Sequence, residues 1–223
     1  MKKPRPAPES ALKDDERSSS NSSVREPLQA RGRARIEAVL DATAELIVEK
    51  GLEGVTMHGA ARRAQTPIGS MYHFFPDRDS LLSALWDRHI AALSELEDEL
   101  GEIDTETWKA LSAEAVIDRI MTPHIRYFEQ NSDCLILMSV MPHDDQKSKR
   151  KSDMLRKVID ARMPRVKAAD RALYVEMIRA LAGGALAVKL RPALGDVQLA
   201  QRYLREVKRA LSAYLAAVEA AVL

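Results

Sequence analysis

Thr56-Met57-His58-Gly59-Ala60-Ala61-Arg62-Arg63-Ala64-Gln65-Thr66-Pro67-Ile68-Gly69-Ser70-Met71-Tyr72-His73-Phe74-Phe75-Pro76-Asp77-Arg78-Asp79-Ser80-Leu81-Leu82 holds two short helical patterns and the start of a long one. The segment Val55 to Ala64 is rich in alanine, and Thr56 is placed to cap its N-terminus. Gln65, Thr66 and Pro67 break the pattern; Thr66 can cap a second short helix whose first turn holds Pro67, where a missing N–H costs nothing. That helix runs to about Phe75 and stops at Pro76-Asp77. Asp77 can cap a fourth helix in which Leu81, Leu82, Leu85, Trp86, His89, Leu93, Leu96 and Leu100 form one apolar stripe before Gly101. Upstream, structure is expected from near Arg33, because Ile36, Val39, Leu40, Ala44, Ile47 and Val48 recur at helical spacing until Gly51, placed as the C-terminal glycine.

Two short helices around a tight turn suit a DNA-reading head. A recognition helix is short, turns one polar face to the major groove and holds the other against a supporting core. On Pro67 to Phe75, Met71 and Phe75 lie four apart and can anchor that core, which leaves Ser70, Tyr72 and His73 outside. Gly69 has no side chain to hold the helix away from a duplex, and Ser70 and Tyr72 supply hydroxyls for phosphates or bases. His73 can present a ring nitrogen to a base edge, and Ile68 an apolar surface suited to a thymine methyl. Each also has a plain reading, Tyr72 as a packing aromatic and Arg62, Arg63 and His73 as solvated residues.

The segment from about Arg33 to Leu85 resembles the DNA-binding head of the TetR/AcrR family of bacterial transcription regulators. The resemblance rests on the long leading helix, the Thr-led second helix, the Gly69-Ser70-Met71-Tyr72 core and the Phe75-Pro76-Asp77-Arg78 exit before a double leucine. It implies an all-α fold, a three-helix helix-turn-helix head joined by a long fourth helix to a helical effector-binding and dimerisation body. It assigns DNA contact to Thr56, His58, Pro67, Ile68, Gly69, Ser70, Tyr72, His73 and Arg78, with Tyr72 and Arg78 on phosphate. Against the family pattern, Gln65 stands for the usual turn glycine, where a left-handed backbone would add about 1 kcal/mol of strain. Ile68 stands for a common lysine, removing a possible phosphate contact.

Outside the head, residues 1–30 carry Pro4, Pro6, Pro8 and the run Ser18-Ser19-Ser20-Asn21-Ser22-Ser23 with almost no large apolar residues, and are expected to form a disordered arm. Arg25, Arg31, Arg33 and Arg35 bunch where it meets the first helix. Arginines on such an arm reach a minor groove or phosphates in some helix-turn-helix proteins, and a solvated linker is equally consistent. The domain division is then 1–30 arm, 31–78 head and 79–223 body. Body helices are expected at about 106–130, interrupted by Pro123, then 133–141, 146–163, 170–190 and 196–221, with no period-2 strand pattern.

The 223 residues, 46% hydrophobic and 30% charged, suffice for a sizeable core. A formal net charge of +1 gives no bulk attraction to nucleic acid, so DNA binding must come from local basic clusters. A single cysteine, Cys134, excludes an intramolecular disulfide and fits a reducing compartment. No apolar run approaches the ~18 residues of a membrane span, and no apolar segment follows the basic Lys2, Lys3 and Arg5, so neither membrane nor secretion is implied. Cytoplasm is the default.

The last two helices are apolar over broad arcs, Leu173, Ile178, Leu181, Ala182, Ala185 and Leu186 in one and Leu199, Tyr203, Leu204, Val207, Leu211, Leu215 and Val218 in the other. The resemblance makes them a homodimer interface, and the Ala180-Leu181-Ala182-Gly183-Gly184-Ala185 run suits close helix approach there or within one subunit. Candidates for an effector pocket are Trp86, Trp108, His124, Tyr127, Phe128, Cys134, Met138 and Met141; at helical spacing the same residues also make ordinary core. There is no phosphate-cradling glycine loop, nucleophile elbow or His-Glu-x-x-His pair. The spacing of His124, Cys134, His143, Asp144 and Asp145 matches no common metal-ligand pattern, so no cofactor or metal is expected. The leading reading is a repressor that binds an inverted-repeat operator in double-stranded DNA and is released by a small-molecule effector. The runner-up is a helical ligand-binding or scaffolding dimer that has lost specific DNA binding; a helical enzyme is a remote third.

Overall fold

A computed structural model of the chain describes residues 20–141, 153–186 and 197–221. Among these the architecture is all-α, ten α-helices and no strand. They are α1 Ser20–Lys50, α2 Met57–Arg63, α3 Ile68–Phe74, α4 Arg78–Gly101, α5 Thr105–Ala110, α6 Ala113–Gln130, α7 Ser132–Met138, α8 Asp153–Arg162, α9 Ala168–Ala185 and α10 Val197–Ala220, with a 3-10 turn at Leu52–Gly54.

Helix α1 starts at Ser20, not near Arg33, so the last third of the expected arm is helical, and residues 1–19 of that arm lie outside the described residues. Once a helix is nucleated, each further turn adds a hydrogen bond per residue fixed, so a polar segment can extend a packed helix. The other end is as expected: Gly51 takes φ 69, a left-handed backbone that suits glycine.

Among the described residues, two buried clusters divide the interior. The head core gathers Val39, Leu40, Leu46 and Ile47 of α1, Met57, Ala60 and Ala61 of α2, Met71 of α3, Phe75, and Leu81, Leu82 and Leu85 of α4. The body core gathers Leu93 and Leu100 with residues from α5 to α10, among them Trp108, Ile117, Phe128, Leu135, Ile159, Ile178, Leu211 and Leu215. Leu137 of α7 belongs to the head core although its neighbour Leu135 belongs to the body core. A boundary at residue 78 therefore cuts through one core, and α4 serves both.

The body departs from expectation at Pro123, which lies inside α6 without ending it, at the cost of one backbone hydrogen bond. The helix breaks instead at Leu111-Ser112, where Ser112 Oγ accepts the Ala115 N–H at 3.1 Å. The carbonyls of Trp108 and Leu111, left over at the end of α5, accept hydrogen bonds from Arg162, which also pairs with Glu219. That guanidinium ties α5, α8 and α10 together. The expected helix ends beyond residue 186 and before residue 153 fall outside the described residues, as do His143, Asp144 and Asp145.

Candidate nucleic-acid interface

The turn between α2 and α3 sets the interface. Thr56 caps α2, its Oγ1 accepting the Gly59 N–H at 3.0 Å. The helix ends when Gln65 N–H donates to the Arg62 carbonyl at 3.3 Å and Thr66 N–H to the Ala61 carbonyl at 2.9 Å, the paired closure of a Schellman motif. That closure requires a left-handed residue, and Gln65 supplies it at φ 50 without being glycine. Thr66 does not cap α3. It is buried, and its hydroxyl donates back to the Ala64 carbonyl at 3.2 Å, so Pro67 stands at the N-cap with no side-chain bond.

Helix α3 is two-faced as its sequence requires. Met71 is 0% and Phe75 5% exposed, whereas Ile68 is 37% and Tyr72 47% exposed. Pro67, Gly69 and His73 are also exposed, Ser70 is half-buried, and a Cβ added at Gly69 would meet nothing within 4 Å. The ring of His73 lies 5.7 Å from that of Phe74. On α2, His58 and Arg62 lie one turn apart and are both exposed. Arg63 is committed elsewhere: its guanidinium bonds both Glu49 carboxylate oxygens at 2.6 and 2.7 Å and Glu45 at 3.4 Å. These hydrogen bonds hold the Glu49 carboxyl below its ordinary range. Arg62 makes no ion pair among the described residues, which separates it from its neighbour in a way the sequence alone does not.

Asp77 opens α4 with a full capping box, its carboxylate accepting the Ser80 N–H at 2.7 Å while Ser80 Oγ accepts the Asp77 N–H at 3.2 Å. The bonds from Ser80 lower the Asp77 pKa. Arg78 follows, and its Nε and Nη2 donate to the carbonyls of Val55 and Leu52 at 3.0 and 2.5 Å. Arg78 thus fastens the start of α4 to the turn that leads into α2, leaving Nη1 beside Asp79.

Among known proteins, the sequence model described as "Bacterial regulatory proteins, tetR family" matches residues 39–85. Over this segment the chain is similar to the TetR family. The TetR-family segment spans all of α2 and α3 and ends at Leu85, the last head-core residue of α4. No curated protein matches the sequence. Among solved structures, SmeT, the repressor of the Stenotrophomonas maltophilia multidrug efflux pump SmeDEF, is similar at a TM-score of 0.61 with 20% identity, covering 82% of this chain and 89% of SmeT. The Bacillus subtilis regulator FadR in complex with stearoyl-CoA is similar at 0.59 with 15% identity, covering 79% of this chain and 97% of FadR. A TetR-family transcriptional regulator from Streptomyces coelicolor is similar at 0.56 with 22% identity, covering 85% and 99%. The fold beyond the TetR-family head is therefore shared as well.

Of the eight effector candidates, six belong to or pack against the body core, while Met141 packs against the head core. Trp108, Phe128 and Cys134 are members of its buried core, and Trp86, Tyr127 and Met138 pack against it. His124 is half-buried with Nδ1 at 2.8 Å from the Ile120 carbonyl. Trp108 is fully buried, and its Nε1 has no hydrogen-bond partner among the described residues. The sequence places His89 on an apolar stripe and gives no signal at Asp133; the structure joins them at 2.7 Å, with Tyr127 Oη on the other ring nitrogen, also at 2.7 Å. Burial, with Cys134 and Asp133 close by, pushes the Tyr127 phenol far above its ordinary range. A separate open cleft of about 900 Å³ lies between α6 and α10, lined by charged side chains such as Asp118, Arg202, Arg205 and Lys208, and includes none of the eight.

Proposed function

We propose that this chain is a DNA-binding transcription regulator, a homodimer that reads an inverted-repeat operator through α3 and is released from it by a small molecule bound in the body. The observation that carries the reading is the two-faced α3 within the TetR-family segment, with Met71 and Phe75 buried and Ile68, Gly69, Tyr72 and His73 turned out together. Tyr72 would position the head on phosphate, His73 and Ile68 would read base edges, and Thr56, His58, Pro67 and Ser70 would support the approach. Arg78 contributes mainly by fixing the α4 start, and Arg62, beside the turn, makes no ion pair among the described residues.

The dimer reading is supported by an uncovered apolar ridge: Leu173, Met177 and Leu181, spaced four apart on α9, are 56%, 39% and 41% exposed, and Leu199 on α10 is 40% exposed. The effector reading is supported by the apolar body core with its buried polar groups, and by fold relatives whose names include stearoyl-CoA and a multidrug efflux pump. An apolar or amphipathic effector follows. The test is selection from random-sequence duplexes by the full chain, followed by titration at several salt concentrations. A palindromic consensus bound with a steep salt slope is expected; absence of any enriched sequence would leave the helical ligand-binding dimer as the better reading.

A further inference from the structure

Consecutive residues of α4 grip opposite halves of the molecule. Arg88 pairs with Asp41 at 2.6 Å and Glu37 at 3.1 Å, both on α1 of the head. His89, next in sequence and 1% exposed, is held by Asp133 of α7 and Tyr127 of α6. Asp133 is itself 3% exposed, so this polar link crosses an otherwise apolar layer. One turn further along α7, Leu137 enters the head core at 0% exposure, while Cys134 and Leu135 between them lie in the body core. Helix α7 is therefore a wedge with one side in each core, and its hydrogen bond to His89 fixes where α4 sits against it.

We infer that the His89–Asp133–Tyr127 cluster is a clasp that sets the angle between the DNA-binding head and the body, with His89 and Asp133 as positioning residues for operator recognition. This rests on the DNA-binding reading above. Apolar contacts alone let α4 slide or roll against α7 at little cost, because a Leu face packs in several registers. A histidine with both ring nitrogens bonded to two different helices has one register, and a slip leaves a buried carboxylate without its partner. In a twofold dimer the same angle, repeated in each subunit, fixes the separation of the two recognition helices and so the half-site spacing that is bound. None of the three side chains needs to touch DNA for this.

The test is a spacing profile. Half-sites recovered by selection with the wild-type chain are placed in duplexes with the centre shortened or lengthened by one and two base pairs, and affinities are measured for wild type, the double variant His89→Leu/Asp133→Ala, and Asp133→Asn. The double variant removes both clasp partners, so no unpaired charge stays buried. Wild type is expected to lose roughly tenfold or more at two base pairs from its optimum. The double variant is expected to flatten to within about threefold across the series or to move its optimum, while Asp133→Asn, which still accepts from His89, keeps the wild-type profile. Should the double variant not fold, Tyr127→Phe removes one hydroxyl of the clasp and carries the same expectation of a broadened profile. A folded double variant, or Tyr127→Phe in its place, with a lowered thermal midpoint but the wild-type profile would make the cluster purely structural and overturn the inference. Failure of the wild type to select any sequence would instead strike the DNA-binding reading, and the clasp's role with it.

Discussion

Gln65 occupies a left-handed backbone at φ 50 in the middle of the reading head. An L-residue with a Cβ is strained there by about 1 kcal/mol, a cost glycine avoids. Gln65→Gly is therefore expected to raise stability by about 1 kcal/mol in urea denaturation with the slope unchanged, and an unaltered midpoint would mean that Gln65 carries no net strain. On the outward face, Tyr72→Phe is expected to weaken operator binding modestly and evenly across sequence variants, since a phosphate contact carries no base information. His73→Ala should relax preference at one base pair by about 1–3 kcal/mol. If both variants bind every duplex as wild type does, α3 is not the reading helix. At this scale the sequence is legible where partners are close along the chain: the Thr56 cap, the Asp77 box and the Met71–Phe75 anchor all act within four residues. It misleads at Thr66, because the Schellman closure of α2 takes that residue before α3 can use it. Arg78 is opaque for a different reason, since its carbonyl acceptors at Leu52 and Val55 are brought near only by folding.

Helix α4 depends on its cap more than most, for it starts beside the reading head and ends in the body core. The Asp77 carboxyl has its pKa lowered in the folded state by its bonds from Ser80, so its contribution is present above the unfolded carboxylate pKa and is lost as pH falls through the folded one. Asp77→Ala is expected to be less stable than wild type near neutral pH, with the difference closing as pH drops below ~4. Thermal midpoints of the two chains along a pH series check this, and a constant difference down to strong acid would exclude the capping box as its source. Apolar periodicity makes α4 and α10 readable from sequence, because their stripes are long. Helices α5 and α6 are less legible, since the break at Leu111-Ser112 goes with Arg162 reaching the orphan carbonyls from α8, whereas Pro123 looks like a stop and is tolerated. The polar start of α1 has no packing stripe to announce it, and composition alone reads it as unstructured.

Across the whole molecule the exposed ridge Leu173, Met177 and Leu181 has to be covered if the chain is to stay dispersed. Leu173→Glu with Leu181→Glu is expected to yield a monomer by light scattering at micromolar concentration and to lower operator affinity at least ~10-fold, because one head then binds one half-site; a dimer that survives both charges would place the interface elsewhere. The existence of two lobes is legible in the sequence, but not the joint between them, because Leu137 reaches the head core from a helix whose other residues read as body. That joint also has an optical consequence. Of the chain's 2 tryptophans, Trp108 is sealed at 0% exposure with its indole N–H unbonded among the described residues, while Trp86 is partly buried and packs against both cores. Trp108 should emit at the blue edge and resist acrylamide quenching, and Trp86 should redden and become quenchable whenever head and body part. The protein carries its own reference lamp and its own angle gauge, and Trp86→Phe, which leaves only the reference, shows which light is which.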